Sequence, residues 1–101
     1  MDSVYVIGDA ITVNVFRSCG IEGVMADPRT SEEVLRDLLG KEDAAVILVT
    51  RECAQNLSGM IRKLNLESAD RIIVEIPGID DERGFGGSLT GYITEALGVA
   101  L

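Results

Sequence analysis

The sequence predicts an α/β fold, an open parallel sheet of four strands in the order 2-1-3-4 with helices on both faces. Short runs of valine and isoleucine alternate along the chain with segments that have helical spacing. The main runs end at a polar residue, a glycine or a proline, as strands do where they enter a turn. At 101 residues the chain is long enough for one domain with a single core. Successive parallel strands require right-handed crossovers, which place helices on both sides of the sheet.

The first strand and the first helix follow from the start of the chain. The run 3–7 is apolar enough for a central strand that helices cover on both faces. Asp9 is placed to cap a helix that extends to about Ser18, and Gly20 ends that helix. The apolar residues of this helix are Ile11, Val15 and Phe16.

A second strand and a second helix follow. The short run 23–26 predicts the strand. Thr30 and Glu33 have the spacing of a capping box, in which each side chain binds the backbone N–H of the other residue. The helix that they open ends at Gly40. It is predicted to bury Val34, Leu35, Leu38 and Leu39.

The third and fourth strands complete the sheet. The run 44–49 predicts the second central strand, and Thr50 caps a third helix. The apolar stripe of that helix consists of Cys53, Leu57, Met60, Ile61 and Leu64. The run 71–76 predicts the fourth strand, at an edge of the sheet, because the charge of Glu75 and the missing N–H of Pro77 cost little there.

The end of the chain differs from this α/β core, which spans residues 1–77. Segment 78–87 contains four glycines and four charged residues, which predicts a flexible loop. Segment 88–101 predicts a final helix of the same domain, weakened by Gly91, which costs about 1 kcal/mol relative to alanine. Its apolar face consists of Leu89, Tyr92, Ile93, Ala96 and Leu97. Two interpretations stay open and do not exclude each other: the helix binds a partner, and it packs on the sheet.

Composition limits the classes of partner. Hydrophobic residues make up 47% of the chain, which excludes a disordered protein, and no apolar run reaches the roughly 18 residues of a membrane span. The first residues lack the basic region of a secretory signal, which predicts a cytoplasmic protein without direct membrane insertion. The formal charge of -8 argues against nucleic acid. A partner protein with balancing basic groups is expected instead.

Metal and thiol chemistry have little support in the sequence. The chain has two cysteines far apart and no histidine, so we expect no zinc site and, in a reducing compartment, no disulfide. Cys53, in the first turn of the third helix, is the candidate for a reactive thiolate. It also lies on an apolar stripe and has no histidine base, which favours a packed and inert sulfur. Cys19 is likewise expected to pack.

Two kinds of phosphate chemistry fail at the predicted strand ends. A dinucleotide-binding turn needs several glycines, whereas the first turn has Gly8 followed by the acidic Asp9. A phosphoacceptor receiver domain needs clustered acids and an aspartate at the end of strand three, where this chain has Val49 and Thr50. We therefore interpret Asp9 as a helix cap.

Charged side chains offer two weaker candidate surfaces. Arg17 and Arg51 form a basic spot for a carboxylate or phosphate, or else Arg17 complements a helix C-terminus and Arg51 is solvated. The first alternative corresponds to a freestanding, receiver-like regulatory module that binds a small anion or a partner protein. Several acids are expected to form a solvated face, which is also able to dock a basic partner: Glu32, Glu33, Asp37, Glu42 and Asp43.

A series of short segments carries a family resemblance along nearly the whole chain. The segments are Val6-Ile7-Gly8-Asp9, Thr12-Val13, Phe16-Arg17, Gly20-Ile21, Val46-Ile47-Leu48-Val49-Thr50, Ile73-Val74-Glu75-Ile76-Pro77-Gly78 and Ala96-Leu97-Gly98-Val99. In their order and spacing the chain resembles the F subunit of the archaeal and bacterial A/V-type rotary ATPases.

This resemblance implies a small Rossmann-like domain in the central stalk, the rotor of the enzyme. It implies a non-catalytic chain without a cofactor that binds the coiled-coil D subunit inside the ring of A and B subunits. Such a chain belongs to the soluble V1/A1 sector, peripheral to the membrane, and helps couple ATP hydrolysis or synthesis to ion transport. A mobile C-terminal helix that contacts the shaft is also implied, and it maps onto Phe85, Leu89, Tyr92, Ile93 and Leu97.

Overall fold

The computed structural model describes residues 3–78, which form a four-stranded sheet and four helices. Along the chain the elements are β1 (Ser3–Gly8), α1 (Ala10–Ser18), β2 (Glu22–Met25), α2 (Ser31–Leu39), β3 (Ala44–Thr50), α3 (Arg51–Ala54), α4 (Ser58–Glu67) and β4 (Ile72–Ile76). Apart from Gly78, the predicted loop 78–87 and helix 88–101 lie outside the described residues.

The sheet is parallel throughout and has the strand order β2-β1-β3-β4. This confirms the predicted fold class and strand order. β1 and β3 lie at the centre, where Val6 is paired with Gly23 of β2 on one side and with Leu48 of β3 on the other. The last four residues of each central strand are buried, as their continuous apolar runs predict.

The alternation of side chains along the strands produces a core on each face of the sheet. On one face, helices α2 and α3 pack against Tyr5, Ile7, Ile47, Val49 and Ile73, and the apolar side chains of α4 pack against the margin of this core. On the other face, α1 packs against Val6, Leu48 and Ile76. Each fully buried valine, leucine or isoleucine contributes roughly 1.5–3 kcal/mol, so both layers of helices stabilise the sheet.

Helix α1 begins and ends where the sequence predicts, and its buried face includes residues that the apolar pattern did not name. Gly20 follows it with a φ of 85°, a left-handed conformation that costs glycine little. Of the three residues named as its apolar residues, Phe16 is buried, whereas Ile11 is 58% exposed. Val13 turns towards the sheet instead, because Gly23 of β2 leaves it room: a Cβ at Gly23 would lie 2.7 Å from Val13 Cγ1. The buried side chains of α1 are Thr12, Val13 and Phe16, and Val15 is half-buried.

Helix α2 begins near the predicted residue, but the predicted capping box is wrong. The Thr30 side chain makes no capping bond to the helix, and the Thr30 backbone is helical rather than extended. The Asp27 carboxylate accepts hydrogen bonds from the backbone N–H groups of Arg29 and Thr30, at 2.8 and 3.0 Å. A turn centred on Asp27 therefore leads into α2. Of the predicted apolar residues, Leu35 and Leu38 are buried, and Val34 and Leu39 are half-buried.

The predicted third helix is interrupted and forms α3 and α4. Thr50 caps α3 as predicted, since its Oγ1 accepts a hydrogen bond from the backbone N–H of Cys53 at 3.4 Å. The chain then turns where the Leu57 N–H donates to the Ala54 carbonyl at 2.9 Å. The asparagine, serine and glycine of segment 56–59 are weak helix formers and favour this break. The predicted stripe still packs against one core, with Cys53 and Leu57 buried and Met60, Ile61 and Leu64 half-buried.

Arg71 joins three elements at the end of the sheet where the strands begin. Its guanidinium donates hydrogen bonds to the carbonyls of Ala44, Leu39 and Lys41, at 2.8, 2.9 and 3.1 Å. The C-terminal end of α2 and the start of β3 are thereby fixed to the residue that precedes β4. The sequence predicts Arg71 as the first residue of the fourth strand, whereas β4 begins one residue later, at Ile72.

Candidate functional site

The carboxyl ends of the parallel strands form the edge where open α/β sheets usually bind ligands. The two central strands approach each other closely there. A Cβ built on Gly8 would lie 2.6 Å from Thr50 Cγ2, so the Thr50 side chain fills the space beside the end of β1. The Thr50 hydroxyl is engaged in capping α3. This pair packs the centre of the edge with protein atoms.

Asp9 acts as a helix cap, as the sequence predicts. Its Oδ2 accepts a hydrogen bond from the backbone N–H of Thr12 at 3.2 Å, and its Oδ1 accepts one from the Thr12 hydroxyl at 2.6 Å. Partial burial raises the pKa of this carboxyl, but the hydrogen bonds from Thr12 outweigh that effect and hold the pKa below its usual value. The carboxylate is therefore charged at neutral pH and is used within α1.

Asp27, at the end of β2, has a comparable internal role that the sequence reasoning missed. Hydrogen bonds from the backbone N–H groups of Arg29 and Thr30 lower the pKa of its carboxyl. The sequence contains the signal for it, because an aspartate followed by a proline favours a turn in which the aspartate side chain accepts from backbone N–H groups two or three residues later.

The Cys53 thiol is buried and hydrogen-bonded, with 2% of the residue exposed. Its Sγ donates to the carbonyl of Ala26 at 3.4 Å. Burial raises the pKa of this thiol, which opposes formation of a thiolate. The packed sulfur predicted from the apolar stripe is therefore confirmed. Cys19 differs from its prediction, because it is exposed at the end of α1 rather than packed.

Arg17 and Arg51 do not come together as a basic spot. Arg17 lies in the last turn of α1, and its Nη2 donates to the carbonyl of Gly23, in β2, at 3.1 Å. Helix α1 runs from the carboxyl end of β1 back to the start of β2, so its last turn lies towards the end of the sheet where the strands begin, whereas Arg51 follows the carboxyl end of β3. The structure thus supports the interpretation that Arg17 complements a helix C-terminus. The joint basic spot of Arg17 and Arg51 is therefore not formed.

The acidic residues form a mostly exposed surface with local partners. Glu32 and Arg36 form an ion pair at 3.3 Å across one turn of α2. Asp43 is half-buried and accepts hydrogen bonds from the Tyr5 hydroxyl, at 3.1 Å to each carboxylate oxygen. Hydrogen bonds from Ser3 and Tyr5 lower the pKa of Asp43, while burial and Asp43 raise the pKa of Tyr5. The remaining predicted members of the face, Glu33, Asp37 and Glu42, are exposed.

Exposed apolar side chains mark a different surface, beside the outer strand β4. Leu66 of α4 is 80% exposed and Ile72 of β4 is 50% exposed. A cleft of about 410 Å³ opens between α4 and β4, and the side chains that line it include Ile61, Leu66 and Glu75. The sequence reasoning placed the helix stripe correctly but did not identify this cleft.

The residues predicted to bind a partner lie outside the described part of the chain. This holds for Phe85, Leu89, Tyr92, Ile93 and Leu97. Among residues 3–78, no three histidine, cysteine, aspartate or glutamate side chains lie together in a group suited to a metal ion. In the same residues, no helix has the length and apolar character needed to cross a membrane.

The comparison with protein families gave a match over most of the chain. The sequence profile of the family described as ATP synthase (F/14-kDa) subunit matches residues 4–93. The match takes in all four strands of the described sheet and continues beyond β4. A comparison with curated proteins gave no match.

Proposed function

Because the chain belongs to the family of the ATP synthase (F/14-kDa) subunit, we propose that it is a non-catalytic part of the central stalk, the rotor of a V/A-type ATPase. The family establishes that the chain is a subunit of such a complex, whose work is ATP synthesis and ion transport. The position in the stalk is our proposal. There the chain binds the coiled-coil D subunit, is surrounded by the A and B subunits, and helps couple ATP hydrolysis or synthesis to ion movement. It belongs to the soluble V1/A1 sector, on the cytoplasmic side of the membrane.

The family match carries this proposal, and the chemistry of the strand ends agrees with it. Asp9, Asp27 and Thr50 stand where catalytic groups of α/β enzymes are usually found. Each of them makes hydrogen bonds inside the fold, to a helix or to a turn. These side chains therefore stabilise the body of the protein, which is the role expected of a subunit that transmits force.

The architecture also suits a part that turns as a unit. Cores on both faces bind the helices to the sheet, and Arg71 fixes α2 to the starts of β3 and β4. A body packed in this way resists internal shear, because displacing one layer would open cavities in a dense core. Torque applied at one surface is then passed on without being absorbed.

The experiment is the association of the full chain with the coiled-coil D subunit of the same source. The two proteins are expressed together and their affinity is measured for the wild type, Leu89→Asp and Ile93→Asp. We expect each substitution to weaken association by about tenfold or more, because a buried aspartate loses its hydration. Leu66→Asp is the matched control, since Leu66 is an exposed leucine of α4, and it is expected to leave the affinity unchanged.

The outcomes separate two parts of the proposal. If the wild type does not bind the D subunit, the position in the central stalk is contradicted. If the wild type binds and both helix substitutions bind equally well, the assignment of Leu89 and Ile93 to the interface is contradicted while the stalk assignment stands.

A further inference from the structure

The outer side of β4 carries backbone groups that no other described strand pairs with. β4 pairs only with β3 among the described strands, so one side of it is an edge of the sheet. Along a strand, the peptide groups of alternate residues point to opposite sides, and those on an edge are open to a strand from another molecule. Such an edge is a site of unwanted association unless it is covered.

Asn65 of α4 covers this edge at Ile73. Its Oδ1 accepts a hydrogen bond from the Ile73 N–H at 2.8 Å, and its Nδ2 donates one to the Ile73 carbonyl at 2.8 Å. These are the two hydrogen bonds that a neighbouring strand would make with an outward-facing residue. The single amide side chain thus takes the place of a fifth strand at this residue.

The next positions of the edge are unfavourable for pairing in other ways. Glu75 is exposed and charged, and by alternation its peptide groups face the same way as those of Ile73. Pro77 has no N–H to donate. With Ile73 occupied, an incoming strand finds no two consecutive outward-facing residues that are both open and uncharged.

Exposed apolar side chains near this edge would make it prone to association if its backbone groups were open. Leu66 is 80% exposed beside Asn65 in sequence, and Ile72 is 50% exposed beside Ile73. Apolar surface next to an open strand edge would favour pairing between copies of the chain, because association would bury both.

We propose that Asn65 closes the β4 edge to strand addition by a second copy of this chain. The hydrogen bonds of Asn65 keep the backbone of the β4 edge unavailable for strand pairing, so that contacts with other proteins are made through side chains. The proposal does not depend on the position in the central stalk. It differs from a purely structural role for Asn65 as a tie between α4 and β4, because a tie alone would affect stability and not association.

The first test is hydrogen exchange in the full chain with Asn65→Ala. We expect the Ile73 amide to exchange about tenfold faster, in line with the loss of one hydrogen bond, while the Val74 amide, which faces β3, keeps its protection. Asn14→Ala is the matched control, since Asn14 is an exposed helical asparagine with no side-chain hydrogen bond among the described contacts. Unchanged exchange at Ile73 would overturn the proposal.

The second test is the association state of the same variants, measured by sedimentation over a range of concentrations. Asn65→Ala is expected to form dimers or larger species where the wild type and Asn14→Ala stay monomeric. Adding Glu75→Pro to Asn65→Ala removes a second outward N–H and is expected to restore the monomer. If Asn65→Ala stays monomeric, or if the added proline leaves its association unchanged, the proposed role of Asn65 in closing the edge is wrong.

Asn65→Ser decides the question should Asn65→Ala not fold. Its side chain is uncharged and too short to make both of the hydrogen bonds that the amide makes to Ile73. We expect this variant to fold and to associate more than the wild type. A folded and monomeric Asn65→Ser would overturn the proposal.

Discussion

Single residues decide how closely the two central strands approach at the carboxyl edge of the sheet. Gly8 has no side chain, and the Thr50 methyl group occupies the space that a Cβ would need. The same threonine caps α3 through its hydroxyl. One residue pair thus sets both the spacing of β1 and β3 and the start of the following helix.

Gly8→Ala is therefore expected to destabilise the protein. The added Cβ would lie 2.6 Å from Thr50 Cγ2, in a part of the core with no flexible side chain to yield. Overpacking of this kind costs typically about 1–3 kcal/mol, measured as a lower urea midpoint. Gly59→Ala is the control, since a Cβ at that position would have nothing within 4 Å, and it is expected to be neutral or stabilising. Equal midpoints for wild type and Gly8→Ala would contradict the packing argument.

Asp9 makes stability depend on pH in a defined direction. Its pKa is lowered in the folded protein by hydrogen bonds from Thr12, so its contribution is fully present above the pKa of an unfolded aspartate, about 3.9. That contribution is lost as the pH falls through the lower, folded pKa. Asp9→Asn keeps an accepting oxygen without the charge, so its stability is expected to fall less between pH 7 and acid than that of the wild type.

Asp9→Ala removes the cap altogether and is expected to cost about 1 kcal/mol at pH 7. Urea unfolding at several pH values measures both substitutions, with the exposed Asp37→Asn as control. An Asp9→Asn protein that loses stability as steeply as the wild type would show that this carboxylate does not carry the pH dependence.

At the scale of the elements, Arg71 links α2, β3 and β4 through three carbonyl groups. Arg71→Lys keeps the charge but cannot reach all three oxygens, because an ammonium lacks the planar fork of a guanidinium. We expect a loss of about 1.5–3 kcal/mol in the free energy of unfolding. Arg36→Lys is the control: Arg36 makes an exposed ion pair on α2, worth less than about 1 kcal/mol. Similar losses for the two variants would contradict the joining role of Arg71.

The order of the elements could be predicted because it depends on signals that are local in the sequence. The apolar runs of β1 and β3, the cap at Asp9 and the stop at Gly20 act within a few residues, and the structure reproduces them. The parallel arrangement then follows from the alternation of strands and helices.

The errors concern contacts that local spacing does not define. Ile11 has helical spacing with Val15, but the side chain that faces the sheet is Val13, because Gly23 of a later strand makes room for it. The hydrogen bonds of Asn65 to Ile73 and of Arg71 to Leu39 join residues whose proximity depends on the completed fold. The joint basic spot is not formed for the same reason, since Arg17 ends a helix that returns to the start of β2 while Arg51 follows the carboxyl end of β3.

At the scale of the whole molecule, the proposed position in the central stalk requires that both faces of the sheet behave as one body. β1 and β3 contribute alternate side chains to the two cores, so neither face is expected to unfold without exposing the other. A body of this kind has one cooperative transition, and a loss on either face lowers the stability of the whole.

Ile7→Val and Ile76→Val test this cooperativity, because the two isoleucines are fully buried on opposite faces. Each substitution is expected to cost about 0.5–1.5 kcal/mol and to shift a single urea transition without changing its slope. In a Tyr92→Phe background Tyr5, buried in the first core, is the remaining tyrosine. Circular dichroism and tyrosine fluorescence should then report the same midpoint in both variants. Ile72→Val, at a half-exposed position of β4, is the control and should cost less. If Ile76→Val shifted the circular dichroism transition and left the tyrosine transition in place, the two faces would be separate units, and torque could not pass through the sheet as through a rigid body.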